Sequence, residues 1–426
     1  MLDRKTAPEF NTIDTVKIKQ VENFKLQNGI DVYSLDAGTQ ELTRIEFIFN
    51  AGMYYQDRVL VAATTNSLLD CGTEKFSAEQ LSEELDFFGS FFECSVGQNK
   101  STITLFSLNK YLEQSLVYVE DMIKNSTFPE DELKLYIDNK KQTFLVNTKK
   151  VNVIARRKFT ELLYGKHHPF GLNSEYTDYD TVTTQLLKEF YAKHYTEKNC
   201  TILISGKIPE NGIDILNHHF GKPWKNQNEK ISKNWISPDT HTQHKHFILK
   251  EDAIQSAIKI GRLLFNKSHE DYFTFNVLNT VLGGYFGSRL MTNIREEKGF
   301  TYGIGSGIVS LEQSGYFSIS TEVGIDVTQA AISEIYKEIK KLRDEPVPVS
   351  ELETVKNYML GNFLRSTDGA FSLADRFKSI WQYGLDYSYY ESYISKLKKI
   401  TSDDLLESAN KYLKEDELFE LVVGKK

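Results

Sequence analysis

Two hydrogen-bond donors, Arg295 and Tyr302, have the side-chain types and the spacing to act on one oxygen atom. They are separated by six residues within the glycine-rich stretch 282–307. A guanidinium and a phenol that converge on one point suit the developing oxyanion of a tetrahedral intermediate. The spacing by itself also fits a second interpretation, in which Arg295 is a solvated arginine and Tyr302 is a half-buried strand tyrosine.

The residues around this pair predict the elements that would position it. Ser288 predicts the N-cap of a helix whose last turn holds Arg295, and Gly299 predicts the end of that helix. Residues 300–304 then predict a short strand that carries Tyr302. A guanidinium at a helix end and a phenol on the following strand would lie close enough to share one substrate atom.

Glycines precede the predicted helix. We interpret Gly283, Gly284 and Gly287 as candidate contacts for bound substrate, and the alternative is tight backbone packing at a strand-to-helix turn. The phosphate-binding pattern GxxxxGK[ST] is absent from the sequence, so this stretch does not predict a nucleotide site.

The composition disfavours several classes of protein. The 426 residues include 51 Lys and Arg against 59 Asp and Glu, and the net charge of −8 disfavours a nucleic-acid partner. No window approaches the roughly 18 uninterrupted apolar residues of a membrane span. The N-terminal residues show no apolar segment typical of a signal peptide. We therefore expect no membrane partner and a cytoplasmic location, with a periplasmic location as the alternative.

An internal repeat determines the expected architecture. The helical segments 132–165 and 351–384 begin and end with similar residues 219 positions apart. The segments that end at Lys207 and Lys425 are likewise 218 positions apart. The chain is thus interpreted as a tandem duplication of a unit of about 200 residues.

Each unit alternates strand-like and helix-like runs, with Ile45, Phe47 and Phe49 at every second position as one example. This pattern predicts an α+β fold of two tandem homologous domains, each an antiparallel sheet packed with helices, related by a pseudo-twofold axis. We assign the domains to residues 1–232 and 233–426, with the polar segment 221–245 as the linker. A cleft between two such halves is a natural place for a site.

The sequence resembles the M16 (pitrilysin/insulysin-like) metallopeptidases over essentially its whole length. The family pattern in the C-terminal half is a glycine-rich stretch, then SRL, then an arginine, six residues and a tyrosine. Here it is carried by Ser288-Arg289-Leu290, Arg295 and Tyr302. The resemblance implies a LuxS/M16 peptidase-like fold, and it implies that Arg295 and Tyr302 engage the carbonyl of a peptide substrate.

The N-terminal half departs from the family pattern at the zinc motif. Family catalytic halves carry H-x-x-E-H shortly before a Gly-Thr, and the histidines bind zinc while the glutamate activates the bound water. This chain retains the Gly-Thr, but the three motif positions hold Ala63, Asn66 and Ser67. The third ligand would fall near Phe144, where the surrounding residues 141–147 contain no acid. We therefore expect no metal site and no cofactor in this chain.

This combination resembles the subunit without the zinc motif in the two-subunit (M16B-type) branch of the family. The resemblance implies a heterodimer in which a partner chain carries H-x-x-E-H and zinc, while this chain supplies the Arg/Tyr pair for the cleavage of unfolded peptides. Alone, the chain would be inactive. Two alternatives stay open, a non-catalytic scaffold of the same fold and a homodimer that binds peptides without cleaving them.

Overall fold

The structure is a computed structural model that describes residues 18–224, 231 and 234–425. The strands up to Gly206 form one six-stranded sheet in the order β1-β2-β6-β3-β5-β4. They are β1 Glu22–Lys25, β2 Asp31–Asp36, β3 Leu42–Phe49, β4 Phe91–Val96, β5 Ser101–Leu108 and β6 Cys200–Gly206. The helices of the same half are α1 Val61–Ser67, α2 Ala78–Phe87, α3 Leu112–Asn125, α4 Glu130–Asn147, α5 Val151–Tyr164, α6 Thr184–His194 and α7 Gly212–Phe220.

The strands from Lys245 onward form a second, five-stranded sheet in the order β7-β11-β8-β10-β9. They are β7 Lys245–Leu249, β8 Gln255–Leu264, β9 Ile304–Leu311, β10 Ser314–Gly324 and β11 Phe419–Gly424. The helices are α8 Tyr272–Asn279, α9 Thr328–Asp344, α10 Val349–Arg365, α11 Ala370–Trp381, α12 Ser388–Lys399 and α13 Ser402–Tyr412. The α+β fold class expected from the sequence is confirmed.

The sheets differ in one respect from the antiparallel sheets that we expected. β2 pairs with β6 in parallel, and β7 pairs with β11 in parallel, whereas the other neighbours are antiparallel. A parallel pair needs a long crossover, and in each half the last strand returns to the sheet after a run of helices. Alternation of apolar residues within one strand does not reveal the direction of its neighbour.

The repeat found in the sequence reappears in the elements. Helices α4 and α10 begin at Glu130 and Val349, and this separation along the chain is the same as that between the first residues of α5 and α11. The starts of α6 and α13 are one position closer together, as the later part of the repeat predicts. Residues 232 and 233, where the two domain ranges meet, lie outside the described residues together with part of the expected linker. The ranges 1–232 and 233–426 therefore stay a prediction.

The two halves exchange a helix. Helix α5 belongs to the first half but lies across β8 and β11 of the second sheet, where Ala155 and Phe159 pack on Leu421. Helix α11 belongs to the second half but lies across β2 and β6 of the first sheet, where Phe377 packs on Leu35. These apolar contacts bury side chains from both halves in common cores, which ties the halves together.

An ion-pair network closes the contact between α11 and the first sheet. Arg44 of β3 lies 3.1 Å from the Glu46 carboxylate and 3.0 Å from that of Asp375 on α11. Lys378, one turn further along α11, donates to Glu46 and lies 3.4 Å from Asp375. Because Arg44 and Glu46 are buried, their charges need these partners.

The exchanged helix explains a detail of β3. The alternating residues Ile45, Phe47 and Phe49 are fully buried, as the sequence predicted. Arg44, Glu46 and Ile48 on the other face are buried too, because α11 covers that face.

None of the helices in the described ranges combines the length and the apolar composition that a bilayer crossing requires.

Candidate functional site

Arg295 lies in the last turn of a π-helical segment, Met291–Glu297. The helix that we expected there is present, and it is π-helical, since the N–H of Lys298 bonds to the oxygen of Asn293, five residues back, at 3.0 Å. The expected cap by Ser288 is wrong, because its hydroxyl is buried and has no hydrogen-bond partner among the described residues. Gly299 ends the segment as predicted, with φ of +65°.

Polar contacts anchor this segment to the neighbouring helices. The side-chain amide of Asn293 donates to Glu334 at 2.9 Å and to Glu338 at 2.7 Å, both on α9. The Asn293 bond lowers the pKa of Glu334 from its ordinary value. Arg289, just before the segment, makes a two-pronged pair with Glu351 on α10 at 2.9 and 2.8 Å. The segment that carries Arg295 is thus held at both its start and its middle.

The Arg295 guanidinium itself is left free for an external acceptor. Its central carbon lies 4.8 Å from the centroid of the Phe286 ring, which is 62% exposed. Within the part of the chain that the structure describes, the guanidinium makes no hydrogen bond and no ion pair. Stacking on an aromatic face holds the side chain in place without using its N–H donors. Phe286 was not predicted as a site residue, and the only signal for it in the sequence is its place in the glycine-rich stretch.

Tyr302 lies in a loop immediately before β9 and is 94% exposed. The short strand predicted over residues 300–304 is therefore wrong, because the strand begins at Ile304. The Thr301 hydroxyl donates to the backbone oxygen of Glu322 at 2.7 Å and accepts from the Gly303 N–H at 3.1 Å. These side-chain bonds replace a strand ladder, and they fix the backbone on either side of the projecting phenol.

The structure places the two donors near the same edge of the second sheet without joining them. No hydrogen bond or ring contact links Arg295 to Tyr302 in the described ranges. Tyr302 stands at the lip of a cleft of about 510 Å³ between α5 and the second sheet. Arg295 does not line that cleft. Tyr302 is therefore exposed beside the cleft, whereas Arg295 is half-buried and stacks on Phe286.

The glycines divide into a packed one and exposed ones. Gly283 is buried, and a Cβ there would lie 2.6 Å from the Ser306 hydroxyl and 2.7 Å from the Ser306 nitrogen on β9. The packing alternative therefore accounts for Gly283, which is not accessible to a substrate. Gly284 and Gly287 are exposed, so substrate contact by these two stays a prediction.

A polar cavity of about 290 Å³ lies beside Gly284 and is rich in tyrosines. Lys267 at its wall donates to the backbone oxygen of Ser379 at 2.9 Å, and its ammonium lies 5.1 Å from the ring centroid of Tyr383. Burial, with a smaller contribution from the charge of Arg376, lowers the pKa of Lys267 to about 8. No ion pair compensates this ammonium in the described parts of the chain.

The lowered pKa of Lys267 predicts a specific dependence of stability on pH. Between pH 8 and its ordinary value of 10.5, the folded chain binds fewer protons at Lys267 than the unfolded chain does. Stability should therefore rise with pH through this window, by up to about 1.4 kcal/mol per pH unit. Urea unfolding of the wild type and of Lys267→Met from pH 7 to 10.5 measures it. Equal pH slopes in the two proteins would contradict it.

The residues at the zinc-motif positions do not fit a zinc ion. Ala63, Asn66 and Ser67 lie on α1, and the Asn66 amide donates to the Tyr195 hydroxyl at 3.1 Å. Phe144 lies on α4, where its ring packs against that of Tyr179, with 5.6 Å between the centroids. These positions offer a methyl, an engaged amide, a hydroxyl and a phenyl ring, which is not a zinc donor set. The described residues bring together no group of three or more His, Cys, Asp or Glu suited to a metal ion.

The fold and the site together define a class of protein, a duplicated α+β chain in which the positions of a zinc motif hold no zinc ligands. Comparison with known families supports this class. Residues 181–359, which include Arg295 and Tyr302, match the Peptidase M16 inactive domain. This part of the chain is therefore similar to the inactive domain of M16 peptidases.

Relatives with known sequences show a similarity that extends over more of the chain. The chain is 26% identical to the Bacillus subtilis protein named uncharacterized zinc protease YmxG, over 84% of this chain and 87% of that protein. It is 25% identical to an uncharacterized zinc protease of Rickettsia felis, over 92% and 95% of the two chains. It is also 22% identical to the Bacillus subtilis probable inactive metalloprotease YmfF, over 58% of this chain and 57% of that protein. The chain is thus similar to proteins that are named zinc proteases, although its own zinc-motif positions hold no zinc ligands.

Two solved structures have the same fold. A peptidase M16 inactive domain from Pseudomonas fluorescens superposes with a TM-score of 0.85 at 22% identity, over 95% of this chain and 98% of that one. A protease from Helicobacter pylori superposes with a TM-score of 0.87 at 17% identity, over 96% and 100%. The arrangement of both halves, with their two sheets and packed helices, is therefore shared with these proteins.

Proposed function

We propose that this chain is the subunit without zinc of a two-chain M16 peptidase of the M16B type, and that Arg295 and Tyr302 act on the carbonyl of a peptide substrate. The observation that supports it most is that both donors are free while their surroundings are fixed. The side chain of Arg295 makes no hydrogen bond or ion pair in the described ranges, yet Asn293 and Arg289 anchor its segment. Tyr302 is 94% exposed, yet Thr301 holds its loop.

The chemistry assigned to this chain is stabilisation of charge. When the scissile carbonyl carbon becomes tetrahedral, negative charge develops on its oxygen. The Arg295 guanidinium and the Tyr302 phenol would each donate a hydrogen bond to that oxygen, and donors fixed in advance need little reorganisation in the transition state. The partner's H-x-x-E-H motif and zinc would supply the nucleophilic water. The planar guanidinium of Arg295 offers several N–H donors, and this suits it to an oxyanion.

The missing zinc set makes a partner necessary in this proposal. The positions Ala63, Asn66, Ser67 and Phe144 provide no ligand that could activate water. A free Arg/Tyr pair has no structural purpose in a scaffold, because neither side chain contributes a polar contact to the described part of the fold. The names of the relatives, which include zinc proteases and an inactive metalloprotease, are consistent with either member of such a pair.

The test compares the chain alone with the chain mixed with an M16 protein of the same organism that carries H-x-x-E-H. We expect the chain alone to contain no stoichiometric zinc by elemental analysis and to leave an unstructured fluorogenic peptide intact. Cleavage should appear on mixing and disappear with a zinc chelator. One tightly bound zinc per chain, or cleavage by the chain alone, would overturn the proposal. A stable homodimer by light scattering with no stimulation of the zinc-bearing chain would favour the peptide-binding or scaffold alternatives instead.

A further inference from the structure

The cleft beside Tyr302 is lined by two cationic side chains. Its volume of about 510 Å³ lies between the first turns of α5 and the faces of β8 and β10, with Tyr302 at the lip. Two of the side chains that line it are cationic, Arg156 from α5 and Lys259 from β8. The cleft therefore combines residues of both halves at the edge that presents the candidate catalytic phenol.

Neither cation has a counter-ion in the described ranges. Lys259 is half-buried, and its ammonium donates to the Ser320 hydroxyl at 2.7 Å. Burial, with a smaller contribution from Arg156, lowers the pKa of Lys259 from its ordinary value. Arg156 is exposed and makes no ion pair with any described residue. One acid also lines the cleft, Glu322, and its carboxylate accepts a bond from the Asn152 amide at 2.9 Å.

The internal repeat allows the charges of this cleft to be compared with those at equivalent positions in the first half. On the exchanged helices, Arg156 is the sixth residue of α5 and Asp375 is the sixth residue of α11, so they occupy equivalent positions. Phe159 and Lys378 are related in the same way. At these two positions, the first sheet is therefore covered by an acid and a base, and the second sheet by a base and a phenyl ring.

The strand positions are equivalent by register. Glu46 of β3 pairs with Leu203 of β6, and Lys259 of β8 pairs with Leu421 of β11. Leu203 and Leu421 have the same separation along the chain as the repeat segments that end at Lys207 and Lys425. Lys259 thus lies in the second half where Glu46 lies in the first.

The contact between the exchanged helix and the sheet carries opposite charges at equivalent positions of the two halves. In the first half the acids Glu46 and Asp375 are neutralised by Arg44 and Lys378, and the contact is closed. In the second half, Lys259 takes the position of Glu46 and Arg156 takes the position of Asp375, so both acids are replaced by bases. No acid lies at the positions of Arg44 and Lys378, because these are occupied by Ala257 and Phe159. The charges at this contact are therefore paired in the first half, whereas in the second half the two cations have no ion-pair partner among the described residues.

We propose that this cleft binds a carboxylate of the peptide substrate between Arg156 and Lys259; this rests on the proposed function. A bound carboxylate would supply the missing counter-ion to both cations, and the N-terminal turns of α5 add favourable partial charge. The carboxylate can come from the C-terminus of the peptide or from an Asp or Glu side chain. In either case the cleft anchors one end of the substrate beside Tyr302.

The first test measures binding to this chain alone, so that it does not depend on a partner. Fluorescence anisotropy compares an unstructured labelled peptide that carries one internal Asp with its C-terminal amide and with its Asp→Asn form. We expect one of the two changes to weaken binding about tenfold, and that change identifies the source of the carboxylate. Equal binding of all three peptides, or no binding of the parent peptide, would overturn the carboxylate site.

Variants then locate the site. Arg156→Gln and Lys259→Met should each weaken binding of the parent peptide about tenfold and abolish the difference between it and the sensitive neutral form. Lys158→Gln, on the same helix α5 but outside the cleft, should preserve that difference. If Arg156→Gln, at an exposed position, leaves the difference intact, the cleft is not the site. If these binding results hold while mixing with a zinc-motif chain yields no cleavage, the proposed function fails and the carboxylate site stands.

Discussion

Replacing Tyr302 by Phe, or Arg295 by Ala, should lower kcat of the assembled peptidase by about 10²–10³-fold, because each change removes one donor from the oxyanion. Tyr302→Phe removes only a hydroxyl from a side chain that is 94% exposed, so folding should be unaffected. Arg295→Ala removes a side chain that makes no ion pair within the described ranges. Steady-state hydrolysis of a fluorogenic peptide by the mixed pair measures both effects.

Matched controls separate this loss from a general disturbance. Tyr176→Phe changes another exposed tyrosine, and Arg365→Ala changes an exposed arginine on α10 that donates to Asn362. Both should retain full turnover. Size-exclusion chromatography with light scattering should show the intact pair for every variant. Turnover that stays within about twofold of wild type in Tyr302→Phe and Arg295→Ala would remove these residues from the mechanism.

Gly283→Ala should damage both the stability and the activity of the pair. The new Cβ would lie 2.7 Å from the backbone nitrogen of Ser306 on β9, a contact that can be relieved only by moving backbone. We expect a loss of about 1–3 kcal/mol in the free energy of unfolding. Because β9 follows the Tyr302 loop directly, the same movement should lower turnover at least about tenfold. Urea unfolding and peptide hydrolysis measure the two effects.

The control for this substitution is a glycine on β9, the strand that carries Ser306. Gly307 has open space where a Cβ would be placed, with no atom within 4 Å. Gly307→Ala should therefore leave stability and turnover close to wild type. If Gly283→Ala were as stable and active as Gly307→Ala, the close approach of the π-helical segment Thr280–Gly284 to β9 would not matter for the site.

The division into two similar halves could be predicted because the internal repeat is visible in the sequence. Its constant spacing alone relates α4 and α5 to α10 and α11. Gly299 was also readable, since a glycine after a helical run marks a left-handed end and its φ is +65°. The exchange of α5 and α11 was not predictable, because sequence periodicity shows that a helix has an apolar face and not which sheet that face covers.

The local geometry of the site was less predictable. The helix at Arg295 is π-helical, and Asn293 and Arg289 hold it to α9 and α10, so tertiary contacts rather than a cap by Ser288 fix its position. Tyr302 is in a loop because Thr301 bonds to β10 across the sheet. Both contacts join residues that are far apart in the sequence, so spacing within one segment does not reveal them.

The loss of zinc ligands was the most readable feature of the site. A side chain without a donor atom cannot bind metal in any conformation, so Ala63 and Phe144 are informative from their residue types alone. The cationic cleft was missed, although a signal was present. Aligning the two repeats sets Arg156 against Asp375, a reversal of charge at one repeat position. Comparison of the halves with each other, position by position, would have found it.

A titration tests the central claim that the activity is assembled from two chains. A fixed concentration of an M16 chain with H-x-x-E-H, well above the dissociation constant of the pair, receives increasing amounts of this chain while peptide hydrolysis is followed. Hydrolysis should rise linearly and reach a plateau at one equivalent, and Tyr302→Phe should reach the same equivalence point with a far lower plateau. Hydrolysis by the zinc-bearing chain that does not change across the titration would contradict it.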